Sequence, residues 1–375
     1  MTNNLFIPLS IPDLRGKEAA YLAQCVEDNW VSSAGPSVTA FEGKIAALTG
    51  RAHAVATING TASIHLALLA AGVGHGDRVV VPDWTFAASA NAVYHAGAEP
   101  FFIDISHNGW TLDASLIGDA LAIENNRIKA IIAVHTLGQS ADMDALAANA
   151  QGLPLIEDAA GAIGASYHDH HVGKDGTFAT FSFNGNKTVT AGGGGMVVCD
   201  DSQAADRLRH LSQQARTGAE YIHDEIGFNY RMTNLNAAVG LAQLERLNEM
   251  VAAKRAIAAR YDQVIAGRQD LACIPRASWT QGSCWLYSIL TASPDDSAAL
   301  IVTMSQQNIE ARGFWRSISE QAPFKSAPKL LNGVSQSLTG RVVSLPCSSQ
   351  LTEGEQFRVI DVLQKWRGSA INSIT

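Results

Sequence analysis

Seven short apolar runs spaced along residues 37–200 constrain the fold of this chain more than any other feature. They are His53 to Ile58, Arg78 to Val81, Pro100 to Ile105, Ala130 to Val134, Leu153 to Glu157, Phe178 to Phe183 and Met196 to Cys199. Helical patterns separate most of them. A strand that reaches its neighbour through a crossover helix runs parallel to it, and a parallel sheet is covered on both faces. The class predicted is therefore α/β, with a large, mostly parallel seven-stranded sheet. Ligands of such sheets bind at the carboxyl ends of the strands, so the residues just after each run are the ones to inspect.

One helix is expected from Thr61 to Ala71, opened by Asn59-Gly60 directly after the first run and closed by Gly72. Another is expected over Asn234 to Met250, and beyond it strand patterns thin out. The change of domain is placed there, with a large ligand-binding domain and its N-terminal arm in 1–250 and a smaller α+β domain in 251–375. A chain of 375 residues is long enough for both. Trp279, Trp285, Phe314 and Trp315 fall in the smaller part and read as core or cleft wall.

Charge and cysteine content exclude several functions. The formal net charge is −8 with acids and bases interspersed, so no basic stripe is present for a nucleic-acid backbone. No apolar run approaches the roughly 20 residues of a membrane span, and Met1 to Arg15 lack the pattern of an export signal. Cys25, Cys199, Cys273, Cys284 and Cys347 form no C-x-x-C pair, which argues against a zinc site or a disulfide framework and for a cytoplasmic location. No metal is expected.

The chemistry centres on Lys187, which lies between the run ending at Phe183 and the tract Gly192 to Gly195. A desolvated lysine amine is a nucleophile at neutral pH, and its commonest use is a Schiff base with a carbonyl. That use predicts an aldehyde cofactor. Asp158 closes another run and is followed by Ala159, Ala160 and Gly161. A carboxylate there can pair with the pyridine nitrogen of pyridoxal phosphate, with alanines leaving room for the ring; a helix N-cap is the other reading of that position. Gly60 and Thr61 open a helix after a strand, where free N–H groups hold an anion. Ser182 and Asn229 are further phosphate donors by residue type. Asn186-Lys187-Thr188 lacks the glycines of a Walker loop, and Gly72-Val73-Gly74-His75-Gly76 follows a helix rather than a strand, so neither is a nucleotide motif.

Together these residues resemble the nucleotide-sugar aminotransferases of the DegT/StrS type, fold-type I pyridoxal-phosphate enzymes. The resemblance runs nearly end to end, through Trp30 to Pro36, Asn59 to Ala62, Pro82 to Phe86, Glu157 to Ala160, Phe181 to Lys187 with its glycine tract, and Gly227 to Met232. It implies that Lys187 carries the cofactor as a Schiff base, that Asp158 pairs with the ring nitrogen, and that Phe86 and Ala160 flank the ring. Thr61, Ala62 and Ser182 would bind the phosphate together with Asn229 of a neighbouring subunit, giving a homodimer with shared active sites. Trp30, Tyr230, Arg231, Arg312 and Trp315 would face the substrate. The cofactor would alternate with pyridoxamine phosphate.

The resemblance further implies transfer of an amino group from L-glutamate to the C4 keto group of a nucleotide-linked 4-keto-6-deoxy sugar. The motifs Pro8 to Glu18, Asn184 to Lys187 and Asp224 to Arg231 look most like enzymes acting on UDP-2-acetamido-2,6-dideoxy-4-ketohexoses for legionaminic acid or bacillosamine synthesis. Perosamine-type enzymes on GDP sugars and dTDP-sugar enzymes are the alternatives. A non-catalytic regulatory protein that binds the cofactor is a reading of another class, and retention of Lys187 and Asp158 weighs against it. Sugar dehydratases of the group replace the lysine by histidine, so Lys187 favours transamination. One departure stands out. Gly161 occupies a place where the group often carries Glu, Gln or His, and any contact made by that side chain must come from elsewhere.

Overall fold

The computed structural model describes residues 5–124 and 127–371. All seven expected strands are present in one sheet, in the order His53–Thr57, Gly195–Cys199, Phe178–Ser182, Leu155–Asp158, Ile128–Val134, Arg78–Pro82 and Glu99–Ile103. Only Gly195–Cys199 runs antiparallel to its neighbours; the rest are parallel. An eighth strand, Lys329–Leu330, extends the far edge in parallel with Glu99–Ile103. Two residues carry no alternation to read, which is why it escapes a sequence pattern.

Apolar side chains project from both faces of this sheet, as a doubly covered parallel sheet requires. One face packs Phe41 and Ile45 of the helix Pro36–Thr49 and Leu146 of the helix Met143–Asn149. The other packs the helices Gly60–Ala70, Ala87–His95 and Ser202–Ser212 through Ile64, Val93 and Leu208. Val79 and Val81 point to one layer and Val80 to the other, the period-two alternation of a strand buried on both sides.

A second, antiparallel sheet joins Leu271–Cys273, Tyr287–Thr291, Val342–Leu345 and Arg312–Gly313. It shares a core with the helices Leu247–Ile265, Pro294–Gln306 and Glu353–Lys365. Residue 250 lies inside the helix Leu247–Ile265. The helix expected over Asn234 to Met250 is in fact two, Asn234–Leu244 and Leu247–Ile265, because Arg246 leaves helical geometry at φ −112°, ψ 8°. Its guanidinium there meets the carboxylates of Asp13 and Glu249.

Two buried carboxylates tie the sheets together. Asp83 accepts hydrogen bonds from the Ser317 and Ser335 hydroxyls and from the Ser319 N–H. Asp104 accepts from the backbone N–H groups of Asn332, Gly333, Val334 and Ser335, at 2.7 to 3.0 Å. Buried carboxylates are costly unless paired this fully, and the bonds hold the segment 315–335 against the strand ends that carry the site. Among the described residues, no helix is long and apolar enough to cross a membrane.

Candidate active site

The carboxyl ends of five parallel or edge strands converge on a cavity of about 260 Å³. Its lining includes Gly60, Thr61, Phe86, Asp158, Ala160, Ser182 and Lys187 from the large sheet, with Trp285 and Trp315 closing it from the C-terminal part.

The strand His53–Thr57 runs into Asn59, which is extended at φ −167° and caps the helix Gly60–Ala70 by accepting from the Ala62 N–H at 2.8 Å. That bond uses the Ala62 donor, and Ala62 itself is buried beneath the cavity rather than in its lining. Among the described residues, the N–H groups of Gly60 and Thr61 have no protein acceptor. They form the positive end of the helix dipole at the cavity wall, an arrangement built for an anion. Gly60 is required by contact: a Cβ there would lie 2.8 Å from the Cβ of Ser182, so glycine lets the helix start and the end of the strand Phe178–Ser182 meet.

Asp158 ends its strand 6% exposed, with one carboxylate oxygen accepting from the Ser89 hydroxyl at 2.7 Å and the other from the Ala160 N–H at 3.1 Å. The Ala160 contact is the Asx-type bond that a cap would make, while the burial and the cavity position leave the carboxylate facing Lys187. The amine of Lys187 is pulled down from 10.5 to about 8 by desolvation, with the Asp158 charge opposing the fall. An amine in that range is neutral often enough at physiological pH to act as nucleophile and base.

Neighbouring groups complete the wall. His135 follows the strand Ile128–Val134, accepts the Ala141 N–H on Nδ1 at 3.1 Å and donates from Nε2 to Glu157 at 2.8 Å. Both ring nitrogens are thereby committed, which makes this histidine a fixed wall and leaves it no free atom for proton transfer. Desolvation is the largest influence on Glu157 and would raise it, yet hydrogen bonds from His135, Gly176 and Gly173 together hold its carboxyl below the ordinary value. Trp285 lies with its ring centroid 3.5 Å from the Lys187 Nζ. His135 is invisible to motif reasoning because it stands alone after an apolar run, and Trp285 because it is nearly a hundred residues from Lys187.

Other predicted residues lie outside this cavity in a single chain. Asn229 is exposed and bridges to Gln213. The Tyr230 hydroxyl lies 3.4 Å from His65 Nδ1, and Arg231 donates to Gln213 at 3.2 Å. Arg312 pairs with Glu310. Trp30 is 44% exposed and borders a separate hollow with Tyr21 and Asn234.

The buried amine, the paired carboxylate and the anion-binding helix start fit pyridoxal phosphate: an aldehyde, a ring nitrogen and a phosphate each have a matching group. Comparison with known proteins agrees. Residues 12–364 match the DegT/DnrJ/EryC1/StrS aminotransferase family. EpsN of Bacillus subtilis strain 168, whose name assigns it provisionally to the pyridoxal phosphate-dependent aminotransferases, is 38% identical over 95% of each chain. The GDP-perosamine synthase of Escherichia coli O157:H7 is 36% identical over 96% of this chain and 98% of its own. The crystal structure of DesV from S. venezuelae superimposes with a TM-score of 0.89 at 30% identity, covering 96% of this chain and 98% of DesV. The chain thus belongs to the DegT/DnrJ/EryC1/StrS aminotransferase family and is a pyridoxal phosphate-dependent sugar aminotransferase.

Proposed function

We propose that this enzyme moves an amino group from L-glutamate to the C4 keto group of a nucleotide-linked 4-keto-6-deoxy sugar, and that Lys187 is its acid and base. The observation that carries the reading is the junction of a desolvated lysine amine with a buried carboxylate and a helix start bearing free N–H groups. Pyridoxal phosphate, when bound, supplies the electron sink that makes a proton next to nitrogen removable.

The protein's part is holding and proton transfer. Gly60, Thr61 and the Ser182 hydroxyl would hold the phosphate, with no cationic side chain needed at a helix N-terminus. Asp158, oriented by Ser89 and Ala160, holds positive charge on the ring nitrogen. Phe86 and Ala160, both in the cavity wall, would flank the ring. Lys187 takes the proton from Cα of glutamate and later delivers one to C4 of the sugar, so both half-reactions use one amine. Trp285 and Trp315 exclude water while this happens.

For the sugar, similarity to a GDP-perosamine synthase supports a GDP-linked 4-keto-6-deoxyhexose over the UDP-linked N-acetyl sugars that the motifs first suggest. The test is a panel of GDP-, UDP- and dTDP-linked 4-keto sugars with glutamate, followed by product mass. Preference for the GDP substrate by tenfold or more in kcat/KM is expected, and preference for a UDP-N-acetyl sugar overturns that choice. Asn229 and the exposed Tyr221, Ile222 and Ile226 beside it support a homodimer in which this segment reaches a second copy's phosphate site; complementation in mixed dimers tests it.

A further inference from the structure

Gly161 leaves no side chain beside the amine, and the space is filled from elsewhere. A Cβ at Gly161 would stand 2.4 Å from Cε3 of Trp285, closer than real Cβ atoms pack, and 3.0 Å from Cδ2. The indole therefore lies directly against the backbone of the loop that carries Asp158. Its Nε1 donates to the Asn186 carbonyl at 2.9 Å, one residue before Lys187. Its face receives the Lys187 Nζ at 3.5 Å from the ring centroid. One side chain thus touches both loops that bring the reacting groups together.

Trp285 is itself fixed. The buried Lys254 side chain donates to the Trp285 carbonyl at 3.2 Å and to the Cys347 carbonyl at 2.7 Å, joining the segments that flank two strands of the C-terminal sheet. Ser283 donates to the Gly161 carbonyl at 3.4 Å, closing the contact between the same segments. Trp285 is 7% exposed, so water is largely kept from the side of the amine it covers.

We propose that Trp285 is the positioning residue for Lys187, standing in the place of a side chain at position 161, and that Gly161 is needed because any larger residue would push the indole off the amine. The proposal rests on Lys187 being the reacting amine. The ring acts in two ways. It excludes water from the amine, and its face attracts the ammonium form, so it holds the charged lysine where an aliphatic wall would not. Exclusion of water is the larger effect, so removing the ring should raise the proton affinity of the amine.

The test uses cofactor-stripped full-length protein. Competitive labelling of Lys187 with an amine-acylating reagent, read by peptide mass spectrometry across pH, reports the ionisation of that amine alone. Trp285→Leu opens the covered side of the amine to water and should label about two- to tenfold slower at pH 7, and Trp285→Phe, which keeps an aromatic face, should stay within about twofold of wild type. Gly161→Ala should behave like Trp285→Leu, and the double variant should be no worse than either, because both remove the same contact. Reconstituted enzymes should lose kcat with little change in KM for glutamate.

Unchanged labelling in Trp285→Leu, or effects of the two substitutions that simply add, would overturn the role of Trp285. Borohydride reduction of the pyridoxal phosphate-loaded protein locates the bonded amine independently. Label on Lys187 with unmoved titration refutes only the positioning role; label on another lysine refutes the assignment of Lys187 and this proposal with it.

Discussion

Replacing Lys187 by methionine should abolish transamination and at the same time make the cofactor-free protein more stable at neutral pH. The folded chain holds the Lys187 proton less tightly than the unfolded chain does, since burial takes the amine from 10.5 to about 8. A group lowered in this way penalises folding wherever both states are protonated, which is below pH 8. From pH 8 to 10.5 only the unfolded chain keeps the proton, so stability climbs, and above 10.5 the penalty is gone. Each tenfold change in proton affinity is about 1.4 kcal/mol, making the full penalty about 3 kcal/mol. The indole of Trp285 returns about 0.5–2 kcal/mol by attracting the ammonium. The methionine variant, similar in length and apolar, should therefore gain about 1–3 kcal/mol at pH 7. Urea unfolding of the two stripped proteins at pH 7, 9 and 10.5 measures the difference. A gap that is absent at pH 7, or that widens as pH rises, would refute the claim that desolvation activates this amine.

Asp158→Asn keeps the shape of the side chain and removes its charge, and a loss of about 10²–10³ in kcat is expected from the missing electrostatic support. Because the Asp158 charge raises Lys187, the same substitution should move the acidic limb of the pH–rate profile downward; an upward move contradicts the pairing. Glu157→Gln breaks a fully buried, four-bonded carboxylate and should cost about 3–5 kcal/mol in unfolding at pH 7. Since the Glu157 carboxyl is held below 4.5, that stability is present above the unfolded value and is lost as pH falls through the folded one, so the gap should narrow in acid. For the shared site, inactive Lys187→Ala and Asn229→Ala proteins mixed as dimers should regain activity up to about a quarter of wild type, because about half of the dimers are mixed and each of those has one intact site of two; no recovery on confirmed exchange argues against it.

The sheet was readable because buried parallel strands are short, almost uniformly apolar and separated by whole helices. The carboxyl ends of those strands could then be inspected one by one, which is how Lys187, Asp158, Ser182 and the Gly60-Thr61 turn stand out. Each of them owes its position to a few adjacent residues. The residues that escaped have their meaning set at a distance. Lys329–Leu330 pairs with Glu99–Ile103 where Asp104 grips the backbone that follows it. The break at Arg246 answers to Asp13, more than two hundred residues earlier. Trp285 could be read as a cleft wall, but its contact with Gly161 needs the second sheet to be in place.

That division bears on how the amine is activated. The large sheet alone puts Lys187 opposite Asp158, and a carboxylate beside an ammonium raises its proton affinity, the wrong direction for a nucleophile. Desolvation must outweigh that attraction, and part of the enclosure comes from Trp285 and Trp315 of the C-terminal part. Their placement depends in turn on Lys254 at one strand and on Asp83 at the segment that follows Trp315. Activation is therefore a property of the docked sheets rather than of the lysine loop. A change such as Asp83→Asn, distant from any reacting atom, should raise the proton affinity of Lys187 by letting water into the cavity, and labelling of the stripped protein across pH would show a midpoint moved toward that of a free lysine.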